Sequence, residues 1–334
     1  MLIRLRKFIP LLLAVALLWY VLKDISVTDL FIQFGRARYG PLVLAGLVLM
    51  GYHLLRAMRW QLMLSAAGYR VSLVRATVAM LSGLLASMVV PGAGELTRCA
   101  TLKRTDDVPL AQGLGSVVAE RVFDLLALVW LVGITFLLEF DRLNRFIASV
   151  LNLSATANRF GLMAVLAVGG LAIVSFGWWL LQRPAVRSHP LFGKAAGVVR
   201  GLADGLTSIR RLKSPVWFIA LTILIQVAGW LTVYCLLLAL PQTASLPPMA
   251  ALLVLTASSV GGLAVPTQGG IGTYHFMVSR VLLLYGLTLP DGVIAATFQH
   301  AVLFGINLLL SAIGVLMVSI LIRKKPIPLQ KSAS

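Results

Sequence analysis

Long apolar runs separated by short polar or basic connections make up almost the whole chain. A helix needs roughly 20 apolar residues to cross the hydrocarbon core of a bilayer, and six uninterrupted runs reach or approach that length. The pattern therefore predicts an all-α polytopic membrane protein with no separate soluble domain. The predicted full spans are 8–23, 41–62, 112–138, 160–182, 215–240 and 291–322.

Two further apolar regions, 72–105 and 249–288, are each interrupted near the middle by a glycine-rich stretch with polar groups. The first break (residues 91–98) reads PGAGELTR, and the second break (residues 266–275) reads PTQGGIGTYH. Turn backbone is unfavourable in hydrocarbon unless protein or a water-filled cavity covers it. We therefore predict two re-entrant helical hairpins, each of which enters and returns on one side; the alternative is eight simple spans.

Charge adds the orientation of these spans. The chain is 59% hydrophobic and only 12% charged, yet its formal net charge is +18. The Lys and Arg residues cluster at the N-terminus, in the connection 183–214 and at the C-terminus, whereas the loop 241–248 has no charge. By the positive-inside rule, this pattern predicts a multi-pass protein of a bacterial plasma (inner) membrane with cytoplasmic N- and C-termini. No aromatic-basic nucleic-acid motif is present, so we expect no nucleic-acid partner.

The charge assignments agree only if both hairpins return to the side from which they start. Each half then reads span, span, hairpin, span, and the two halves have opposite orientations, which is the inverted repeat of many secondary transporters. We predict a single transmembrane domain over the whole chain. Its predicted parts are a first half at 1–140, a second half at 141–186 and 215–325, a cytoplasmic amphipathic connector at 187–214 and a short tail at 326–334.

Charged side chains inside predicted spans are the first candidates for function, because they normally face a cavity or an opposite charge. Arg56 and Arg59 lie three residues apart near the end of the second span, which puts both on one helical face. Paired guanidinium groups suit a phosphate, which accepts several charge-assisted hydrogen bonds. The structural alternative is that both side chains extend to the lipid headgroups.

The first break carries a second pair at the same spacing, Glu95 and Arg98. Gly92 and Gly94 permit a tight turn and a close approach of the backbone, and Glu95 at the start of the returning helix is stabilised by the helix dipole. We predict that Arg98 and the two glycines join Arg56 in the binding site. The alternative is an ion pair that only neutralises the hairpin.

An acidic cluster, Glu120, Arg121 and Asp124, lies in the fourth apolar region. Two carboxylates do not stay buried and unpaired, so we expect a basic partner from the arginines named above. The carboxylates could alternatively bind a proton or cation that drives transport. A structural salt-bridge network is the third interpretation.

The second break supplies Gln268, Gly269, Gly270 and Gly272 as further candidates for headgroup binding. His275 is a candidate for proton coupling, because histidine titrates near neutral pH; a hydrogen-bonded structural histidine beside a turn is the alternative. No metal-ligand spacing, nucleophile elbow or phosphate loop is present. We therefore expect no metal, no cofactor and no catalytic residue.

Four motifs occur in order: RxxRW at 56–60, PGxGExxR at 91–98, ERxxD at 120–124 and GGIG at 269–272. Together they resemble the transmembrane region of lysylphosphatidylglycerol synthases, a flippase-like family of integral membrane proteins. The resemblance covers nearly the whole chain. It implies that this region moves a lipid across the bilayer.

In some members of that family the membrane region is fused to a cytosolic aminoacyl-transferase domain that modifies phosphatidylglycerol. Because this chain ends at Ser334, we expect no such domain and do not carry the synthase activity over. Many relatives have proline and an acid where this chain has Gln268 and His275. At these two positions, the second break of this chain therefore differs from that of many relatives.

Two functional hypotheses follow. In the first, the protein binds and translocates an anionic phospholipid or a polyprenyl-phosphate-linked headgroup; the arginines hold the phosphate, and the carboxylates neutralise charge or couple to protons. In the second, it modifies a lipid headgroup, either as an enzyme or as the membrane subunit of a separate transferase. The absence of an activated nucleophile in the sequence favours the first hypothesis. A non-catalytic scaffold is a third possibility.

Overall fold

A computed structural model describes residues 34–90, 92–143 and 214–323, together with positions 19, 28 and 32. Within these ranges the regular structure is helical, and no strand occurs. The helices are α1 (Tyr39–Ala66), α2 (Leu73–Val89), α3 (Ala93–Asp106), α4 (Leu110–Leu138), α5 (Pro215–Ala239), α6 (Pro248–Ala264), a 3₁₀ turn (Gln268–Gly270), α7 (Thr273–Leu283) and α8 (Leu289–Arg323).

Four of these helices, α1, α4, α5 and α8, are long and apolar enough to cross a membrane, and α2 and α6 are shorter apolar helices. Their bounds confirm the spans predicted at 41–62, 112–138, 215–240 and 291–322. The spans predicted at 8–23 and 160–182, almost all of the connector at 187–214, and the tail at 326–334 lie outside the described residues.

Both regions with glycine breaks fold as pairs of adjacent helices. In the first pair, Arg75 at the start of α2 forms an ion pair with Asp106 at the end of α3, at 2.9 Å. In the second pair, the Thr273 hydroxyl at the start of α7 donates to the Val265 carbonyl just after α6, at 3.1 Å. The chain therefore turns back on itself at each break. Whether these hairpins re-enter the membrane on one side stays a prediction.

Small residues let the two arms of each hairpin approach closely. A Cβ atom at Gly83 of α2 would lie 2.6 Å from the Gly94 carbonyl oxygen of α3. A Cβ atom at Gly261 of α6 would lie 2.6 Å from the Met277 side chain of α7. Real Cβ contacts are not this short, so a side chain at Gly83 would push the two backbones apart, and one at Gly261 would displace the Met277 side chain.

Helices α1 and α5 pack side by side in opposite directions. The Arg38 N–H just before α1 donates to the Ala239 carbonyl at the end of α5, at 2.8 Å. Ala45 near the start of α1 shares a buried cluster with Cys235 and Leu236 near the end of α5. These are the second spans of the two predicted halves. The inversion of whole halves stays a prediction.

The chain divides into two compact units, residues 1–117 with 212–334 and residues 118–211. In the first unit, α8 packs on α2, α3, α5 and α7, and the turn Gln268–Gly270 contacts α2. The two hairpins therefore meet within this unit. In the second unit, the described residues 118–143 contain the remainder of α4.

Candidate functional site

The predicted arginine pair lies in the second half of α1. Arg59 is 1% exposed, whereas Arg56 is half-buried. The Arg56 guanidinium lies 5.8 Å from the centroid of the Tyr52 ring, and the Arg59 guanidinium lies 5.9 Å from that of the Phe218 ring on α5. Aromatic faces attract cations at such distances. Both charges are therefore held against aromatic rings near the junction of α1 and α5.

Arg98 brings the first break into contact with α1. Its guanidinium lies 4.8 Å from the centroid of the Trp60 ring, and Trp60 follows Arg59 in the chain. Trp60 is fully buried, and its Nε1 donates to Ser116 Oγ at 2.9 Å. The sequence predicted Arg56, Arg59 and Arg98 in one site, and the structure brings Arg98 against Trp60, the residue that follows the α1 pair in the chain. Phosphate binding by these residues stays a prediction.

The returning helix of the first hairpin starts at a left-handed glycine. Gly92 has φ +80° and caps α3, a conformation that side chains with a Cβ rarely adopt. Gly94 packs against Gly83 of α2. Glu95 is the third residue of α3, where the positive end of the helix dipole stabilises a carboxylate. The glycines therefore shape the turn, and Glu95 lies in the first turn of α3 that follows it.

The acidic cluster lies on the part of α4 that belongs to the second unit. Asp124 forms an ion pair with Arg121 at 3.5 Å, one helical turn away, and Glu120 is fully buried. The sequence pattern grouped Arg121 with the two carboxylates but did not identify it as the partner of Asp124. Pairing with the arginines of α1 and α3 stays a prediction.

Three glycines with positive φ form the second break. Gly269 and Gly270 have φ +59° and +78°, and Gly272 has φ +83° and caps α7. The second break therefore follows the plan of the first: a left-handed glycine starts the returning helix. Gln268, the remaining predicted residue, begins the 3₁₀ turn and is half-buried.

His275 is the third residue of α7, the position that Glu95 occupies in α3. Its Nδ1 accepts from the Gly272 N–H at 3.3 Å, and its side chain is buried. This bond stabilises the turn, as the structural interpretation of His275 requires. The proton-coupling role stays a prediction.

A group of polar side chains that the predicted site omitted surrounds this turn. On α8, His300 Nε2 donates to the Gly269 carbonyl at 2.8 Å, and Gln299 Oε1 accepts from the Tyr274 hydroxyl at 3.0 Å. The His275 and His300 rings lie 4.8 Å apart. Gln299 and His300 are adjacent polar residues in an apolar span, and this pattern was the sequence signal that pointed to them.

A second polar contact on α8 reaches α1. His53 Nε2 donates to Asn307 Oδ1 at 2.8 Å. Asn307 lies seven residues, or two helical turns, beyond His300, and His53 lies one turn before Arg56. The polar residues of α8 therefore contact both the second break and the helix that carries the arginine pair. Among the described residues, no three His, Cys, Asp or Glu side chains come together as metal ligands.

Comparisons with known proteins agree with this architecture. The sequence model of the lysylphosphatidylglycerol synthase TM region matches residues 7–311. A glycosyltransferase, AglD of Haloferax volcanii, is 26% identical over 275 residues, which cover 74% of this chain and 44% of the relative. The chain thus spans less than half the length of that relative. No solved structure matches.

Proposed function

The chain belongs to the family of lysylphosphatidylglycerol synthase transmembrane regions, and on that premise we propose that this multi-pass membrane protein binds an anionic lipid and moves its headgroup across the bilayer. The ligand is an anionic phospholipid or a polyprenyl phosphate. Its acyl or prenyl chains remain in the hydrocarbon, so that only the headgroup requires a polar path.

The position of Arg98 over Trp60 carries this proposal. It holds a buried guanidinium against α1 at the residue that follows Arg59 in the chain; Arg59 is also buried, and Arg56 lies one turn earlier on α1. The sequence motifs in the first unit carry three guanidinium groups, those of Arg56, Arg59 and Arg98, and one carboxylate, that of Glu95. The formal charge of these four groups is therefore positive. Arginine pairs bind phosphate with charge-assisted, often bidentate hydrogen bonds. Phosphate is therefore the ligand chemistry that these residues favour.

Helix length supports the re-entrant interpretation of the hairpins. At 1.5 Å per residue, the 14 residues of α3 rise about 21 Å and the 11 residues of α7 rise about 17 Å. The hydrocarbon core is about 30 Å thick. Helices this short suit the returning arms of hairpins that end inside the bilayer, with Gly92, Gly94, Gly269, Gly270 and Gly272 at the turns.

The antiparallel packing of α1 and α5 supports the inverted repeat, because these helices hold the same place in the two predicted halves. The order of a long helix, a 17-residue helix, a short helix and a long helix also occurs twice. Related halves of opposite orientation allow a site to open to either side of the membrane in turn. Cytoplasmic termini are part of this proposal.

The acidic residues supply the second part of the mechanism. Glu95, Glu120 and Asp124 neutralise charge during transport or take up a proton, and Arg121 holds Asp124 in place. His275 is the corresponding group of the second break. Carboxylates and histidines within membrane helices commonly serve as proton relays.

Reconstitution tests the transport proposal. Purified protein is placed in liposomes with headgroup-labelled phosphatidylglycerol or a labelled polyprenyl phosphate, and the rate at which the label changes leaflet is measured. We expect the wild type to exceed empty liposomes, and Arg98→Gln to be at least about tenfold slower, since a charged hydrogen bond contributes about 1.5–3 kcal/mol. Lys103→Gln is the matched control, because Lys103 lies on the same helix but is exposed.

If every labelled lipid changes leaflet in the wild type no faster than in empty liposomes, the transport proposal is refuted. If Lys103→Gln slows the rate as much as Arg98→Gln, the site assignment is refuted and only a general effect of charge remains.

One observation favours a second candidate function. The relative from Haloferax volcanii is a glycosyltransferase more than twice as long as the matched region. By analogy, this chain would be the membrane part that presents a lipid to a separate transferase. A change in lipid mass after incubation with the purified protein alone would instead identify an enzyme that modifies the lipid headgroup.

A further inference from the structure

Gln299 is a buried amide that lies in an apolar helix. Its side chain is fully buried, and its Oε1 accepts from the Tyr274 hydroxyl at 3.0 Å. Among the residues that the structure describes, no hydrogen-bond partner takes up its Nε2 group. A buried donor without an acceptor is unfavourable by roughly 1–3 kcal/mol, so this group points to an acceptor beyond the residues that the structure describes.

The surroundings of Gln299 favour an anionic acceptor. Tyr274 is the second residue of α7, so the bond from its hydroxyl ties the amide to a side chain of the first turn of that helix. The first turn of an α-helix leaves N–H groups without intrahelical partners and carries a partial positive charge. Anions bind at such ends. His300, the next residue, contacts Gly269 at the same turn.

The turn itself is made of glycines against which only uncharged or titratable side chains pack. Gly269 and Gly270 have left-handed backbones, and a Cβ atom there would lie 3.1 Å from Phe304 and 3.7 Å from His300. His275 takes up the Gly272 N–H, which fixes the turn without using the Gln299 amide. The side chains close to the turn are uncharged or titratable (Tyr274, His275 and His300), so no carboxylate among these contacts repels an anion.

We infer that the Gln299 amide and the start of α7 form a second subsite, which binds a phosphate oxygen of the transported lipid. This inference rests on the proposed function and deepens it, since it adds an uncharged subsite on α8 and α7 to the arginine site on α1 and α3. Gln299 donates to the ligand, and Tyr274 orients the amide. The subsite distinguishes a phosphate from a neutral headgroup.

Native mass spectrometry of the purified protein with phosphatidylglycerol tests this subsite. Gln299→Met removes the amide with little change in volume, and Gln299→Glu keeps an acceptor for the Tyr274 hydroxyl but replaces the donor with an acid. We expect both variants to retain lipid about tenfold less well than the wild type, the loss expected for one hydrogen bond to a charged group.

Two variants separate ligand binding from structural effects. Tyr274→Phe leaves the Nε2 donor in place, and we expect lipid retention within about threefold of the wild type. Gln112→Glu makes the same chemical change at an exposed position on α4 and should behave as the wild type. Monodisperse elution of each variant in size-exclusion chromatography checks folding.

The outcomes are distinct. If Gln299→Glu retains lipid and Tyr274→Phe loses it, Gln299 serves only to hold Tyr274, and the subsite is refuted. If Arg98→Gln loses lipid but both Gln299 variants keep it, the subsite is refuted while the proposed function stands. If the wild type retains no phosphatidylglycerol or polyprenyl phosphate, both proposals fail. Displacement of the lipid by inorganic phosphate in the wild type but not in Gln299→Met would assign the subsite to free phosphate and overturn the assignment to lipid.

Discussion

Replacing Gly83 by alanine tests whether the first hairpin closes as the structure requires. The added Cβ atom would lie 2.6 Å from the Gly94 carbonyl oxygen and 3.2 Å from Arg98 Cβ. Ordinary contacts begin near 3.4 Å, and the obstructing atom belongs to the backbone, so α2 and α3 must separate by several tenths of an ångström.

Two opposing effects set the magnitude. Alanine is favoured over glycine inside a helix by about 0.5–1 kcal/mol. Overpacking a close contact is unfavourable by about 1–3 kcal/mol. The contact term is the larger, so we expect Gly83→Ala to be destabilised by about 1–2 kcal/mol. We also expect it to flip lipid more slowly, because the arm that carries Arg98 is displaced.

Gly51→Ala is the matched control. Gly51 also lies inside a helix, α1, but nothing lies within 4 Å of a Cβ atom there. The same chemical change should therefore leave stability unchanged or raise it. Thermal denaturation in detergent measures both variants beside the wild type. If Gly83→Ala is as stable as Gly51→Ala, the close approach of α2 and α3 is wrong.

Three further predictions concern contacts between helices. Trp60→Leu removes the ring below the Arg98 guanidinium and the hydrogen bond to α4. We therefore expect the unfolding free energy to fall by at least about 2 kcal/mol and lipid flipping to slow. Trp60→Phe keeps an aromatic ring and should lose less stability and less flipping rate; equal losses in the two variants would contradict the ring contact. His53→Leu and Asn307→Leu should each destabilise the fold, with a coupling of about 0.6–1.7 kcal/mol in a double-mutant cycle, and additive effects would exclude the hydrogen bond between α1 and α8. Arg75→Ala should destabilise the first hairpin by about 1 kcal/mol, because it leaves the largely buried Asp106 without its ion pair. The same substitution in an Asp106→Asn protein should be less destabilising. An equal loss of stability in that protein would contradict the ion pair.

The sequence alone determined the helical spans and the position of the breaks. Apolar run length and glycine clusters are local properties, and in a bilayer every backbone group must find its hydrogen bond within a helix. For that reason the observed bounds of α1, α4, α5 and α8 follow the predicted ones closely. The same local rules placed Gly92 and Gly272 at turns, where the structure finds left-handed backbone.

The tertiary structure decided which polar groups meet. Arg98 over Trp60 and His300 on the Gly269 carbonyl join residues 38 and 31 positions apart, and no periodicity specifies such pairs. The sequence offered no signal for Gly83, whose role depends on a helix that crosses it, and it marked Gln299 only as one of two adjacent polar residues in an apolar span. Side-chain contacts between helices depend on how the helices rotate and cross, and packing of the whole bundle fixes that geometry.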